Sequence, residues 1–159
     1  FAASPHLAAR FENRKISEIK IKKSVKKLSR KFDFVIIEGT GGLLVPLGGG
    51  KLLIDIVKDL GIPVLVVVKN RLGAINHTLL SIEALKNRGI EILGIVFNNL
   101  SKCENRVVLR DNKKIIGRIS KETIIGELPA TKNLRLLHAR FKPLGAKIIS
   151  ILNSHKPVR

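Results

Sequence analysis

Short, unbroken apolar runs punctuate the chain at Phe34–Ile37, Pro63–Val68, Ile92–Phe97 and Thr123–Ile125. A continuous run bounded by glycine or turn residues reads as a strand buried on both faces, as in a parallel sheet. Pro63 occupies the first position of its run, where a strand tolerates proline. Between the runs the apolar residues recur at helical spacing. Ile21, Val25, Leu28 and Phe32 predict a helix from near Ser17, with this stripe buried and the lysines between. Leu52, Leu53, Ile56, Val57 and Leu60 predict a short helix that Gly61 stops. Ile75, Leu79, Ile82 and Leu85 predict another, ended by Gly89. Ser4-Pro5 starts a helix that runs to about Asn13, with Ser as N-cap and Pro as the first helical residue. A weakly patterned helix is expected from Ser101 to about Lys114 and a last one from Leu144 to Leu152, while Gly39–Lys51 reads as a loop. Strands alternating with helices imply an α/β fold with a mostly parallel sheet and helices on both faces. With no repeat, low-complexity segment or interior linker, residues 1–159 are expected to form one α/β domain.

Composition narrows the picture. The chain has 159 residues, 45% of them hydrophobic, enough for a substantial core. No apolar run approaches the ~20 residues of a membrane-spanning helix. A single cysteine, Cys103, cannot form an internal disulfide, which fits a reducing, cytoplasmic location. The net charge of +18 allows phosphate contacts with nucleic acid or an anionic membrane. The only aromatic residues are six Phe, however, which leaves few stacking platforms for single strands. Lys20, Lys22, Lys23, Lys26 and Lys27 read as a solvated helix face, so neither a specific nucleic acid nor a membrane is an expected partner. The chain contains no Met and begins with Phe1, so it is expected to be incomplete at its N-terminus.

Candidate chemistry gathers after the strands. Glu38 ends the first run and is followed by Gly39-Thr40-Gly41-Gly42. A lone carboxylate beside backbone without side chains suits a metal ion that itself holds phosphate oxygens; a solvated acid and a glycine turn is the plainer alternative. Gly48-Gly49-Gly50-Lys51 looks like the end of a phosphate loop but fails the pattern. Val45 stands where glycine is needed and Leu52 where Ser or Thr is needed, so the stretch reads as a mobile loop. Cys103, His77 and His138 lack partners at metal-ligand or nucleophile–base spacing and read as packing or surface residues. Glu38–Gly42, Lys69–Asn76, Asn98-Asn99 and Glu127–Thr131 each follow a predicted strand. In a parallel sheet they converge on one edge, where ligands bind.

The order and spacing of these segments resemble dethiobiotin synthetase. The residues that carry the resemblance are Ser4-Pro5-His6, Ile37-Glu38-Gly39-Thr40-Gly41-Gly42, Val45-Pro46-Leu47, Leu72-Gly73 with Ile75-Asn76-His77, Asn98, and Gly126-Glu127-Leu128-Pro129. The resemblance implies a P-loop NTPase-like fold whose first strand and phosphate loop, with the catalytic Lys and a metal-binding Asp, would precede residue 1. No catalytic residue is therefore assigned to this chain, and the isolated chain is expected to be inactive. The implied activity is an ATP- and Mg²⁺-dependent cyclo-ligase of biotin biosynthesis that closes a ureido ring on 7,8-diaminononanoate with CO₂. By the same resemblance, Glu38, Gly39, Thr40, Gly41, Asn98, Asn99, Pro129, Ala130 and Thr131 would bind ATP, with Glu38 also holding Mg²⁺. Gly73, Ala74, Ile75 and Asn76 would bind the substrate carboxylate, in a homodimer. Leu136 stands near a place where some members carry an acid. A cobyrinate-type amidase or a basic, non-catalytic binding module are the alternatives.

Overall fold

The computed structural model describes residues 2–101 and 105–154; Cys103 lies outside the described residues. The chain divides into two compact units, Phe1–Ile62 and Pro63–Arg159, each taken by itself.

The first unit opens with α1 (Pro5–Phe11). The Ser4 carbonyl accepts the Leu7 and Ala8 N–H groups at 2.9 Å each. The Ser4 side chain, expected to cap the helix, makes no capping bond. The α2 helix (Glu18–Lys31) starts where expected, with Ser17 as its N-cap, Ser17 Oγ accepting the Lys20 N–H at 3.3 Å. Two expectations fail here. No residue of α2 is buried, so its apolar stripe is not a core stripe. Phe34–Ile37 forms no strand, and Ile36 is 79% exposed. The two failures share a cause. A strand is held by the ladder it shares with a neighbour and by side chains packed across it. The strands described in this unit pair only with each other: β1 (Pro46–Gly48) and β2 (Lys51–Leu52) form a small antiparallel hairpin. The apolar run thus has no ladder, and α2 has no sheet face in this unit to cover. The hairpin lies inside the predicted loop except for Leu52, expected to open the next helix, which instead ends β2. Its turn places Gly48, Gly49 and Gly50 all at positive φ, which explains the triglycine without a phosphate. Then comes α3 (Leu53–Leu60), with Asp55 Oδ2 accepting the Leu52 N–H at 2.9 Å and Gly61 ending the helix in the left-handed region. Its Ile54 and Ile56 are buried.

The second unit runs β3 (Val64–Lys69), α4 (Ala74–Lys86), β4 (Ile92–Asn98), α5 (Arg106–Ser120), β5 (Ile124–Leu128) and α6 (Leu134–Ser154). The three strands form a parallel sheet in chain order. Val68, Ile95 and Phe97 pack on one face against Ala74 and Ile82 of α4 and Ile116 of α5. Val96 and Ile125 pack on the other against Ile148 of α6, with Leu144 and Ile151 beside it. Helices therefore cover both faces, which is why β4 is apolar at successive positions. Three boundaries move. The α5 helix starts at Asn105, whose Oδ1 accepts the Val107 N–H at 2.8 Å, and runs on to Ser120. Strand β5 extends to Leu128, which puts Gly126 and Glu127 in the ladder rather than after it. The α6 helix begins at Leu134 and carries Pro143 inside, whereas the sequence pattern put its start after that proline. An interior proline normally costs a helix ~3 kcal/mol, which hides the first turns from a local reading.

Candidate functional site

Strands β3, β4 and β5 end side by side, because Lys69 pairs with Asn98 and Asn98 with Leu128. The chain leaving each strand stays attached to its neighbour. The Asn70 N–H donates to the Asn98 carbonyl at 3.0 Å, and the Asn99 N–H donates to the Leu128 carbonyl at 3.0 Å. This brings Asn70, Asn99 and Glu127 into side-chain contact. Asn70 Nδ2 donates to Asn99 Oδ1 at 3.0 Å, and Asn99 Nδ2 donates to Glu127 Oε2 at 3.3 Å. Helix α5 closes the group: Asn112 Nδ2 donates to Asn70 Oδ1 at 2.9 Å, and Lys113 Nζ lies 2.8 Å from Glu127 Oε2. The side chain of Asn98, by contrast, has no hydrogen-bond partner among the described residues. Pro129, Ala130 and Thr131 follow at the same edge, each half-buried, with Thr131 Oγ1 accepting the Asn133 N–H at 3.0 Å.

Burial pushes the Glu127 carboxyl up, but the hydrogen bonds from Lys113 and Asn99 and the Lys113 charge outweigh it and hold the group below its ordinary value. A depressed carboxyl stabilises the fold above the ordinary carboxyl range, and that stabilisation is lost as pH falls through the lowered value. The pair is partly exposed and screened by water, so the term is under about 1 kcal/mol. Urea unfolding of Glu127→Gln and of the unaltered chain, repeated from neutral into acid pH, is expected to show the two stabilities converging as pH falls. A gap that persists in acid would show that the carboxylate charge is not what matters.

Of the residues expected at the helix entry, Gly73 is the N-cap of α4 with φ 86°. The Ala74 N–H is already taken by the Arg71 carbonyl at 3.1 Å. Ile75 packs against the core, while the Asn76 side chain is exposed and makes no cap bond. Free amides are thus left at Ile75 and Asn76, not at Ala74. Beside them a cleft of about 160 Å³ lies between α4 and β3, lined by Lys69, Arg71, His77 and Ser81 among others.

In the first unit Glu38 is exposed and has no ion pair among the described residues. Gly39 and Gly41 sit tightly against the hairpin region. A Cβ on Gly39 would fall 2.6 Å from Leu53 Cδ2, and one on Gly41, at φ 74°, 2.9 Å from Val45 Cγ2. Those glycines therefore have a packing reason in addition to any ligand. Among the described residues no three His, Cys, Asp or Glu side chains gather into a metal site. Glu38 therefore fits only a metal whose other ligands are phosphate oxygens and waters, as with Mg²⁺. The edge predicted to collect four segments collects three within the second unit; Glu38–Gly42 belongs to the first.

A family model described as an AAA domain matches residues 1–136. The chain belongs to that family. It is also similar to three proteins named ATP-dependent dethiobiotin synthetase BioD. It is 44% identical to that of Akkermansia muciniphila over 127 residues, covering 80% of this chain and 59% of the relative. It is 38% identical to that of Clostridium perfringens over 134 residues (82% and 58%) and 43% identical to that of Chlorobaculum tepidum over 129 residues (81% and 54%). The chain thus spans less than two thirds of the length of these relatives. The resemblance read from the EGTGG, LGAINHTLL and GELP motifs is borne out, and with it the α/β, P-loop NTPase-like class.

Asn112 and Lys113 were not anticipated at this site, and Asn70 only as a member of a loop. A signal for Asn112 does exist. Leu109, Asn112 and Ile116 share one helical stripe, and a lone amide on an apolar stripe calls for a buried partner. Among the described residues no helix is long and apolar enough to cross a membrane.

Proposed function

We propose that this chain is the larger part of an ATP-dependent dethiobiotin synthetase, a cytoplasmic homodimer acting in biotin biosynthesis. The observation that carries the reading is the shelf of amides at the ends of three parallel strands, in a chain whose motifs match those relatives. One amine of 7,8-diaminononanoate takes up CO₂ as a carbamate. The carbamate oxygen accepts the γ-phosphoryl group of ATP, releasing ADP. The second amine then attacks the carbonyl carbon, closing the ureido ring and expelling phosphate.

Asn98, Asn99 and Pro129–Thr131 serve the nucleotide base, since an amide offers both a donor and an acceptor to a purine edge. Gly39, Thr40 and Gly41 present backbone to the phosphates. Glu38 supplies one carboxylate to Mg²⁺, and the bound ion would offset charge on the transferring phosphoryl group. Gly73, Ala74, Ile75 and Asn76 receive the substrate carboxylate at the start of α4, where unpaired amides and the helix dipole favour an anion.

The test is Asn98→Ala in the full-length protein. Its KM for ATP is expected to rise about tenfold, the order expected when one base-reading contact is lost, with little change in the KM for the diamine. Equal changes in both would remove Asn98 from the base pocket.

A further inference from the structure

The hydrogen bonds among the asparagines run in one direction. Asn112 Nδ2 donates to Asn70 Oδ1 and to the Arg71 carbonyl, both at 2.9 Å. Asn70 Nδ2 donates to Asn99 Oδ1 at 3.0 Å and to the Leu109 carbonyl at 3.3 Å. Asn99 Nδ2 donates to Glu127 Oε2 at 3.3 Å. The two ends of an amide are alike in shape, so only its partners decide which end points where. Here each amide nitrogen meets a group that can only accept: the Arg71 carbonyl, the Leu109 carbonyl and the ionised Glu127. Three separate acceptors therefore impose the same polarity. Asn70 and Asn112 are 2% and 3% exposed, so turning either over would bury a pair of facing oxygens with no water to separate them.

Asn99 stands differently from its neighbour Asn98. Each is half-buried, but the Asn98 amide is unpinned and can turn to suit a ligand, whereas the Asn99 amide is fixed. After its two bonds Asn99 keeps one N–H and one oxygen lone pair. Adenine offers an amino donor beside a ring-nitrogen acceptor; guanine offers a carbonyl acceptor beside an N–H donor. An amide that suits one edge must turn over to suit the other.

We propose that Asn70, held by Asn112, is a positioning residue that fixes the polarity of the Asn99 amide and thereby makes the site choose adenine over guanine. This rests on the nucleotide reading given above. Lys113 completes the device by holding Glu127 as an acceptor.

The experiment compares the affinities of ATP and GTP for the full-length protein by calorimetry. Asn70→Asp keeps the shape and still accepts from Asn112, but it cannot donate, so Asn99 must turn its Nδ2 toward it. The ratio of ATP to GTP affinity is expected to fall at least about tenfold, the order of discrimination one bidentate base contact supplies. Equal weakening of both nucleotides, or an unchanged ratio, overturns the proposal. If Asn70→Asp does not fold, Glu127→Lys turns the exposed end of the relay from acceptor to donor. The ratio should then fall at least about threefold, part of the same discrimination, and an unchanged ratio again overturns the proposal. A second readout needs no ligand. The Glu127 carboxyl, followed by carbon-13 NMR, is expected to titrate at higher pH in Asn70→Asp, because Asn99 no longer donates to it; an unmoved titration overturns the relay. A wild-type protein that binds neither nucleotide overturns the nucleotide reading, and the titration then judges the relay alone.

Discussion

Glu38→Gln in the full-length protein is expected to cut Mg²⁺-dependent turnover by about 10²–10³-fold, since a ligated metal contributes several kcal/mol to stabilising transition-state charge. The neutral amide keeps the size of the side chain but removes the charge that attracts a hard cation. The fold should not notice, because Glu38 is exposed and has no ion pair among the described residues. Initial rates across a Mg²⁺ titration at saturating ATP, with far-UV circular dichroism as the fold control, separate the two effects. Extra Mg²⁺ should recover part of the loss. Unchanged turnover at limiting Mg²⁺ would show that Glu38 is a solvated acid and no more.

The largest loss of stability is expected from Gly94→Ala. Gly94 sits in the central strand at φ 142°, where the ladder to β3 shifts register. A Cβ there would lie 2.7 Å from the Thr123 carbonyl oxygen and 2.9 Å from Ile125 Cγ1. The side chain of Ile125 could give way, but the Thr123 oxygen could not without loosening the Ile95 N–H it accepts at 2.8 Å. Backbone strain of ~1–2 kcal/mol and overpacking of ~1–3 kcal/mol together suggest a cost of about 3 kcal/mol. Thermal unfolding should show a drop of roughly 10 °C on the usual scaling. Gly61→Ala is the control: its φ of 62° is also positive, but nothing lies within 4 Å of the added carbon. It should lose only about 1 kcal/mol. Equal losses at the two sites would show that strain, and not the contact with Thr123, governs Gly94.

What the sequence made legible follows from how local each signal is. The runs through Val64–Val68 and Ile92–Phe97 were readable because burial on both faces leaves no polar position to blur them. Phe34–Ile37 has the same apolarity yet forms no strand. Apolar character reports a preference for burial, but a ladder also needs a neighbour, and no local pattern supplies one. The start of α6 was hidden by Pro143, a residue whose local cost is overridden by packing of Leu144 and Ile148 on the sheet. At the candidate site, Asn98, Asn99 and Glu127 could be found by placing residues near strand ends. The bond between Asn70 and Asn112 could not, because it joins positions 42 apart that meet only once α5 has docked.

In the second unit each strand pairs with the one that precedes it in the chain, and the intervening helix packs over the pair. Such an arrangement keeps contact order low for a parallel sheet, because no strand must wait for a distant partner. Each closing loop is one helix long, and its entropy is repaid as soon as the next strand joins. The Pro63–Arg159 unit is thus arranged to grow strand by strand, in step with a chain emerging from the ribosome. The amide relay, which joins groups from β3, β4, α5 and β5, belongs to the end of that sequence. On that order the relay can close once β5 has joined, before α6 arrives to complete the core on the sheet's other face.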